Sequence, residues 1–327
     1  MKKVVFLIQD FDLPSSRVRV LNLLPELSDF SIVSQVARYP KSFLGKLKML
    51  RVCLAADVVV VQKCLPSYLD MFLIRRASRK IVFDFDDAIY CRQNSTRDYK
   101  KNTRYKKFLN TLAKADCVLA GNSVLAEAAT VANGNIEVIP SAVETRHEAI
   151  NDHDKSEGPV VIGWIGTSMT LPYLVLLTPV FQALSRSYKI ELRIVCSESI
   201  DMPGVKIRFV PWSLQKQEKE IAKFDIGVMP LPAQEYASGK CGYKALQYMA
   251  ASVPPVVSDV GVNRELVMHG ESGLVCECID GFYDAIKMLI EDHRLRKHMG
   301  RKARQRVEEF YSIPVVAEKM ARCLNKL

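Results

Sequence analysis

The sequence holds no apolar run near the roughly 20 residues that a membrane-spanning helix needs. Its five histidines lack zinc-like spacing, and its nine cysteines are scattered, odd in number and without a CxxC pair. Only Cys276 and Cys278 lie close together. This pattern excludes a disulfide framework; the thiols read as reduced and structural, and no metal is expected. Glycine and proline are scarce at 15 each, and there is no internal repeat or low-complexity tract, which leaves an ordinary folded chain. No GxGxxG follows the first apolar run, where the sequence reads IQDFDLPSS, so a nicotinamide-dependent dehydrogenase is a poor match. Nothing after Met1-Lys2-Lys3 has the form of a secretory signal, because VVFLIQD is short and ends on charge. A cytoplasmic protein is the expectation.

What is present begins with charge. The net charge is +10, and residues 1–155 carry 24 lysines and arginines against 17 acidic residues, the remainder 22 against 19. A basic first half suggests an anionic partner there. Nucleic acid ranks low among such partners, since no interleaved aromatic surface or known module accompanies the charge.

A length of 327 residues suggests two domains. Short β-branched runs alternate with helix-period segments throughout. KKVVFLI, FSIVSQV, DVVVVQ, KIVFDF, DCVLAGN and NIEVIP read as strands in the first half; PVVIGWIG, IELRIVC, VKIRFVPW, FDIGVMPL, PPVVSD and SGLVCE do so in the second. This βαβ alternation predicts two tandem, Rossmann-like, doubly wound α/β domains facing an interdomain cleft. The boundaries are set at 1–148 for an N-terminal domain, 149–158 for a polar linker and 159–310 for a C-terminal domain. The segment 311–327 is expected as a final helix packing back towards the N-terminal domain.

Two stretches of the second half suit an anion. In GKCGYKALQYMA, Lys240 and Lys244 read as one turn apart at the start of a helix, against the usual preference for acidic residues there. A bound diphosphate resolves that conflict, whereas a solvated basic turn is the plain alternative. In VVIGWIGTSM, a strand ends at Gly166, followed by Thr167 and Ser168. Here a glycine lets backbone N–H groups approach a ligand, while the hydroxyls either donate to it or cap the next helix.

The run from FDIGVMPLP through GKCGYKALQYMAASVPPVVSDVGVNRELVMHGESGLV resembles the donor half of glycosyltransferase family 4, a retaining family of GT-B fold. Leu246–Ala250 matches a helix end, Pro255-Val256-Val257 a strand, and Arg264–Val267 with Gly270–Val275 the closing turn and strand. PSSRVRV, DFDDAIY and ADCVLAGNSVLAEAA extend the similarity through the first half. The resemblance implies transfer of a sugar from a nucleoside-diphosphate sugar to a glycan or lipid-linked acceptor in surface-polysaccharide synthesis, with retention and no cofactor. It also implies donor contacts at Gly166, Thr167, Ser168, Gly239, Gln247 and Glu265. The family's two glutamates fall here at Gly239 and Gln247, and Glu235 is a candidate substitute for the first. That departure keeps open a non-catalytic nucleotide-sugar-binding protein as a second reading, and a nucleotide-sugar epimerase is a third.

For the chemistry, Lys240, Lys244, Arg193 and Arg208 are candidate cations for the leaving diphosphate. Trp212 either stacks on the base or packs as filler. Asp86 is the candidate catalytic carboxylate, with Asp84 and Asp87 beside it facing the acceptor. Arg17 and Arg19 either grip an acceptor phosphate or pair with those carboxylates. KSFLGKLKMLRVCL places Phe43, Leu44, Leu47, Leu50 and Leu54 at helical spacing among basic residues. RDYKKNTRYKKF aligns Arg97, Lys100 or Lys101, Arg104 and Lys107 along one side, with Tyr99, Tyr105 and Phe108 nearby. Both segments suit an anionic membrane face, although a core-facing stripe also explains the first.

Overall fold

A computed structural model of the chain describes residues 1–93, 98–147, 149–151 and 158–327. These residues form two compact units. One comprises Met1–Ala142, Gln234–Cys241 and Ser312–Leu327; the other comprises Val143–Ala233 and Gly242–Tyr311.

The sheet of the first unit contains β1 (Lys2–Ile8), β2 (Ile32–Arg38), β3 (Val58–Gln62), β4 (Lys80–Phe85), β5 (Cys117–Ala120) and β6 (Ile136–Val138), in the order β2-β1-β3-β4-β5-β6. All pairings are parallel. Both faces are covered at the centre, so β1 and β3 are apolar almost throughout, whereas the edge strands β2 and β6 carry exposed positions. Val5, Leu7, Val59, Val61 and Phe83 point to one core. Val4, Phe6, Val58, Val60 and Val82 point to the other, whose lid is the final helix Ile313–Lys326 through Val316, Met320 and Leu324. Lys2 Nζ ties down the end of that helix, donating to the carbonyls of Leu324 at 2.9 Å and Asn325 at 3.0 Å.

The second unit carries β7 (Val160–Ile165), β8 (Ile190–Cys196), β9 (Ile207–Pro211), β10 (Ile226–Met229), β11 (Pro255–Ser258) and β12 (Leu274–Cys276), in the order β12-β11-β10-β7-β8-β9 and again all parallel. Gly163 and Gly227 occur inside strands because aromatic rings lie across them. A Cβ at Gly163 would sit 2.0 Å from the Phe224 ring, and one at Gly227 would sit 2.4 Å from Tyr248. Leu246, Met249, Ala250 and Ala251 are all buried against this sheet.

The twelve runs read as strands from sequence are the twelve strands found among the described residues. Packing divides the chain after Ala142 rather than at 148, since Val143 N–H donates to Tyr311 O at 2.9 Å and Asn151 N–H to Ala251 O at 2.9 Å. Residues 152–157 of the linker, and Glu148 before it, lie outside the described residues.

Candidate functional site

In an open parallel sheet, ligands bind beyond the carboxyl ends of the strands where the winding direction reverses. In the second unit the reversal falls between β7 and β10. The loop after β7 is Gly166–Ser168, as the sequence suggested, but its glycine serves packing. The Gly166 N–H donates to Val195 O at 3.1 Å, and a Cβ there would lie 2.4 Å from the Trp164 indole. The Thr167 N–H donates to Thr170 Oγ1 at 3.3 Å. The expected free amides at Gly166 and Thr167 are therefore engaged internally, and Thr167 forms a capping box with Thr170; the Thr167 side chain is exposed and Ser168 half-buried.

The helix that follows the glycine pair is Tyr243–Ala250, so it starts later than expected. Gly242 at φ 63° forms its N-cap, and Lys240 lies before this left-handed residue. The two lysines therefore do not share a helical face. Lys244 projects its Nζ over the Trp164 ring, 5.6 Å from the centroid, beside the Gly166 turn that packs on the same indole. No acidic residue occupies the first turn, and Gly242 has no side chain to cap it. This end of the helix is suited to an anion.

Two further donor-side candidates meet through a residue that sequence reading missed. Gln217 Oε1 accepts from Trp212 Nε1 at 3.3 Å and from Gln247 Nε2 at 3.3 Å. Glu265 is exposed in the short helix Asn263–Leu266, and its carbonyl accepts from Arg306 at 2.6 Å. Arg193 is not available to a ligand: it is buried and paired with Glu191 at 2.6 Å. Arg208 is exposed on β9.

In the first unit the DFDD carboxylates have separate environments. Asp84 and Arg19 are each 1% exposed and form a closed ion pair, with Arg19 Nε 3.2 Å from Asp84 Oδ2 and its Nη1 donating to Ile139 O. Of the two alternatives for Arg19, the structure has the internal pair; neither side chain is open to an acceptor. Burial alone would lower Arg19, but Asp84 outweighs it and holds the guanidinium charged. Burial pushes the Asp84 carboxyl up against the pull of Arg19. Arg17 donates to the carbonyl of Asp12 at 2.7 Å.

Asp86 and Asp87 flank Lys63, the residue after β3. Lys63 Nζ lies 3.0 Å from Asp86 Oδ1 and 2.5 Å from Asp87 Oδ2, and Lys240 Nζ lies 3.6 Å from Asp87 Oδ1. Burial works against the Asp87 charge, yet Lys63 and Lys240 outweigh it and hold the carboxyl below its ordinary value. Lys63 is pushed above the usual lysine range, because Asp86 and Asp87 more than offset its burial. Lys63 also adopts φ 54°, which is uncommon for a side-chain-bearing residue. The same strand-end logic that drew attention to DFDD applied to Lys63, but lysine after VVVVQ carries no distinctive pattern.

The segment Gln234–Cys241 packs wholly with these residues. Asn122 Nδ2 donates to the carbonyls of Gly239 and Lys240, both at 3.2 Å. Cys241 Sγ lies 3.2 Å from Asp86 O, and its burial, with Asp86 adding, pushes the thiol up to about 12. Lys240 Nζ also lies 4.7 Å over the Tyr236 ring. Gly239 is enclosed: a Cβ would meet Ala88 Cβ at 2.7 Å and Leu125 Cδ2 at 3.0 Å. The missing glutamate thus corresponds to a missing space. Glu235 accepts from Tyr90 and Tyr99 hydroxyls at 3.3 Å and 3.2 Å on one oxygen.

The first basic segment is not a core-facing stripe. On the helix Phe43–Leu54 only Met49 and Cys53 are buried, while Phe43 is 74% and Leu44 71% exposed. The adjacent helix Tyr68–Ala77 adds exposed Leu69 and Phe72. In the second segment Phe108 is fully buried and Tyr99 and Tyr105 pack around Tyr90, so its aromatics turn inward. Arg97 lies outside the described residues.

Residues 160–292 match the family model described as "Glycosyl transferases group 1". A curated relative, N-acetyl-alpha-D-glucosaminyl L-malate synthase of Bacillus anthracis, is 36% identical over 80 residues. That alignment spans 24% of this chain and only 21% of the relative's length. Among solved structures, HepE of Anabaena in complex with UDP-glucose superposes with a TM-score of 0.75 at 14% identity, covering 100% of both chains. Sucrose-phosphate synthase from Thermosynechococcus elongatus gives 0.73 at 13% identity over 100% of this chain and 99% of that one. The fold is therefore that of the GT-B structures, and residues 160–292 are similar to the glycosyl transferases of group 1.

Proposed function

We propose that this protein transfers a sugar from a nucleoside-diphosphate sugar to a hydroxyl of a glycan or lipid-linked acceptor in surface-polysaccharide synthesis, with retention of configuration. The observation that carries the reading is the β7/β10 switch point, where an uncapped helix end, Lys244 and the loop at Thr167–Ser168 surround Trp164. Departure of a diphosphate places negative charge there, and fixed cations and N–H groups stabilise it without requiring a metal. Gln247 and Trp212, joined through Gln217, are suited to the ribose and base. The donor complex of HepE makes a uridine nucleotide the first to try.

Asp86 is the carboxylate proposed to receive the acceptor's hydroxyl proton or to stabilise positive charge on the sugar. Asp87 and Lys240 position it through Lys63. The exposed apolar face of Phe43, Leu44, Leu69 and Phe72, with Lys41, Lys48 and Arg51 on or beside the same helices, favours attachment to the cytoplasmic face of an anionic membrane. Among the described residues no single helix is long and apolar enough to cross a membrane.

The test is a thermal-shift panel of UDP-, GDP-, ADP- and dTDP-sugars on wild type and Lys244→Ala, followed by nucleotide-release assays with the stabilising donor. A shift lost in a folded Lys244→Ala, with acceptor-dependent release, supports transfer. A shift without release under any condition favours a binding protein, the reading motivated by the filled space at Gly239. Turnover of donor alone favours an epimerase, and no shift with any donor refutes the site.

A further inference from the structure

The first unit has its own switch point, between β1 and β3. A cavity of about 330 Å³ opens there, lined by Gln9, Lys63, Leu65, Ile89, Thr103, Arg104 and Lys107. Gln9 and Lys63 follow β1 and β3, which run in parallel register with Leu7 opposite Val61. Their strand ends are locked together by Gln9 Nε2 donating to Lys63 O at 2.6 Å. Arg104 and Lys107 are three residues apart on the helix Thr103–Lys114, hence on one face. Arg104 is anchored by Nη1 to Ile89 O at 3.0 Å, a bond that leaves the rest of its fork unused.

Among the described residues, three cations and no carboxylate line this cavity. Lys63 is balanced by Asp86 and Asp87 on its other side. Among the described residues neither Arg104 nor Lys107 has an ion-pair partner. Two uncompensated cations, a hydroxyl at Thr103 and an amide at Gln9 therefore surround a space with apolar walls at Leu65 and Ile89.

We infer that this cavity binds a phosphate or diphosphate group carried by the acceptor. A planar guanidinium fork and an ammonium group beside a hydroxyl donor suit a multiply charged tetrahedral anion. The volume exceeds that of one phosphate and lies in the range of small-molecule pockets, so it also admits the first part of whatever bears the group. The acceptor role rests on the glycosyltransferase reading above; the anion site does not.

The experiment titrates inorganic pyrophosphate into the full chain by calorimetry, for wild type, Arg104→Ala/Lys107→Ala and Lys244→Ala, with UDP titrated in parallel. Loss of two charge-assisted contacts is expected to weaken pyrophosphate at this site by about tenfold or more. UDP affinity and melting temperature should stay unchanged, and Lys244→Ala should keep the site. Pyrophosphate binding that is indifferent to Arg104→Ala/Lys107→Ala overturns the inference, as does binding abolished by Lys244→Ala alone. Failure of UDP to bind refutes the donor reading instead. Two further arms use glucose 1-phosphate and vesicles of phosphatidylcholine with one-fifth phosphatidate. Dependence of either arm on the arginine–lysine pair supports the site and assigns the phosphate to a soluble or a lipid source. Dependence of neither overturns the assignment of the site to an acceptor phosphate.

Discussion

Replacing Arg19 by alanine separates a structural ion pair from a ligand contact. Arg19 and Asp84 are both enclosed, and removing the guanidinium leaves a carboxylate without its partner and Ile139 O without its donor. Breaking a buried pair from one side costs about 3–5 kcal/mol, mostly from the stranded charge. At about 2–4 °C per kcal/mol for a domain of 150–250 residues, the melting temperature should fall by roughly 6–20 °C. The deficit has a pH signature. With Arg19 gone, the main opposition to the burial that already pushes Asp84 up is lost, and only the weaker pull of Lys63 remains. A carboxyl whose folded pKa lies above its unfolded value destabilises the fold as pH rises past the unfolded value, so the variant should lose less at pH 5 than at pH 8. Arg19→Met/Asp84→Leu, which removes both charges, should recover most of the loss. Urea unfolding followed by circular dichroism at both pH values measures all three. Arg19→Ala within about 1 kcal/mol of wild type, below the range for a broken buried pair, would refute the pairing argument and return Arg19 to the ligand.

Asp87 is held below the ordinary carboxyl value of 3.8, so its contribution is present above that pH and is lost as pH falls through the lower folded value. Wild-type stability should drop steeply below about pH 4, and Asp87→Asn should flatten the drop in denaturant titrations. Gly239→Ala should cost about 1–3 kcal/mol by overpacking against Ala88 and Leu125, and Gly239→Glu should fold less well rather than gain activity. A soluble, more active Gly239→Glu would contradict the packing. Gln217→Ala removes the hydrogen bonds that Trp212 and Gln247 share with Gln217; tryptophan emission should shift and UDP affinity should fall, with melting temperature unchanged.

The strands were legible because doubly covered parallel sheets write near-continuous apolar, β-branched runs, as in VVVVQ and KKVVFLI. The helix at Tyr243–Ala250 was legible too, but its start was not. A second glycine at 242 takes a left-handed turn that diverts Lys240 to Asp87, and nothing in GKCGYK says which glycine does so. Gly166 looked like a phosphate loop because its packing partner, Trp164, is its near neighbour and the contact depends on the ring's orientation. Lys63 was missed for a related reason: its partners are more than twenty residues away, and only the sheet brings them together. The Phe43–Leu54 stripe fitted both a core and a surface, and a periodicity cannot say which side of a helix faces the protein.

The final helix gives the chain an order of assembly. Val4, Phe6, Val58 and Val60 are made early, yet the residues that cover them, Val316, Met320 and Leu324, are made last. At about 5–20 residues per second, the interval between Ala142 and the end of the chain is on the order of ten to forty seconds. During that time one apolar face of the first sheet is only partly covered, while the second unit is still being synthesised. The early helices supply Val20, Leu23 and Leu27 to that face, but its cover is completed only by the late helix. A chaperone, or a transient partner for that face, has its longest opportunity during synthesis rather than after it.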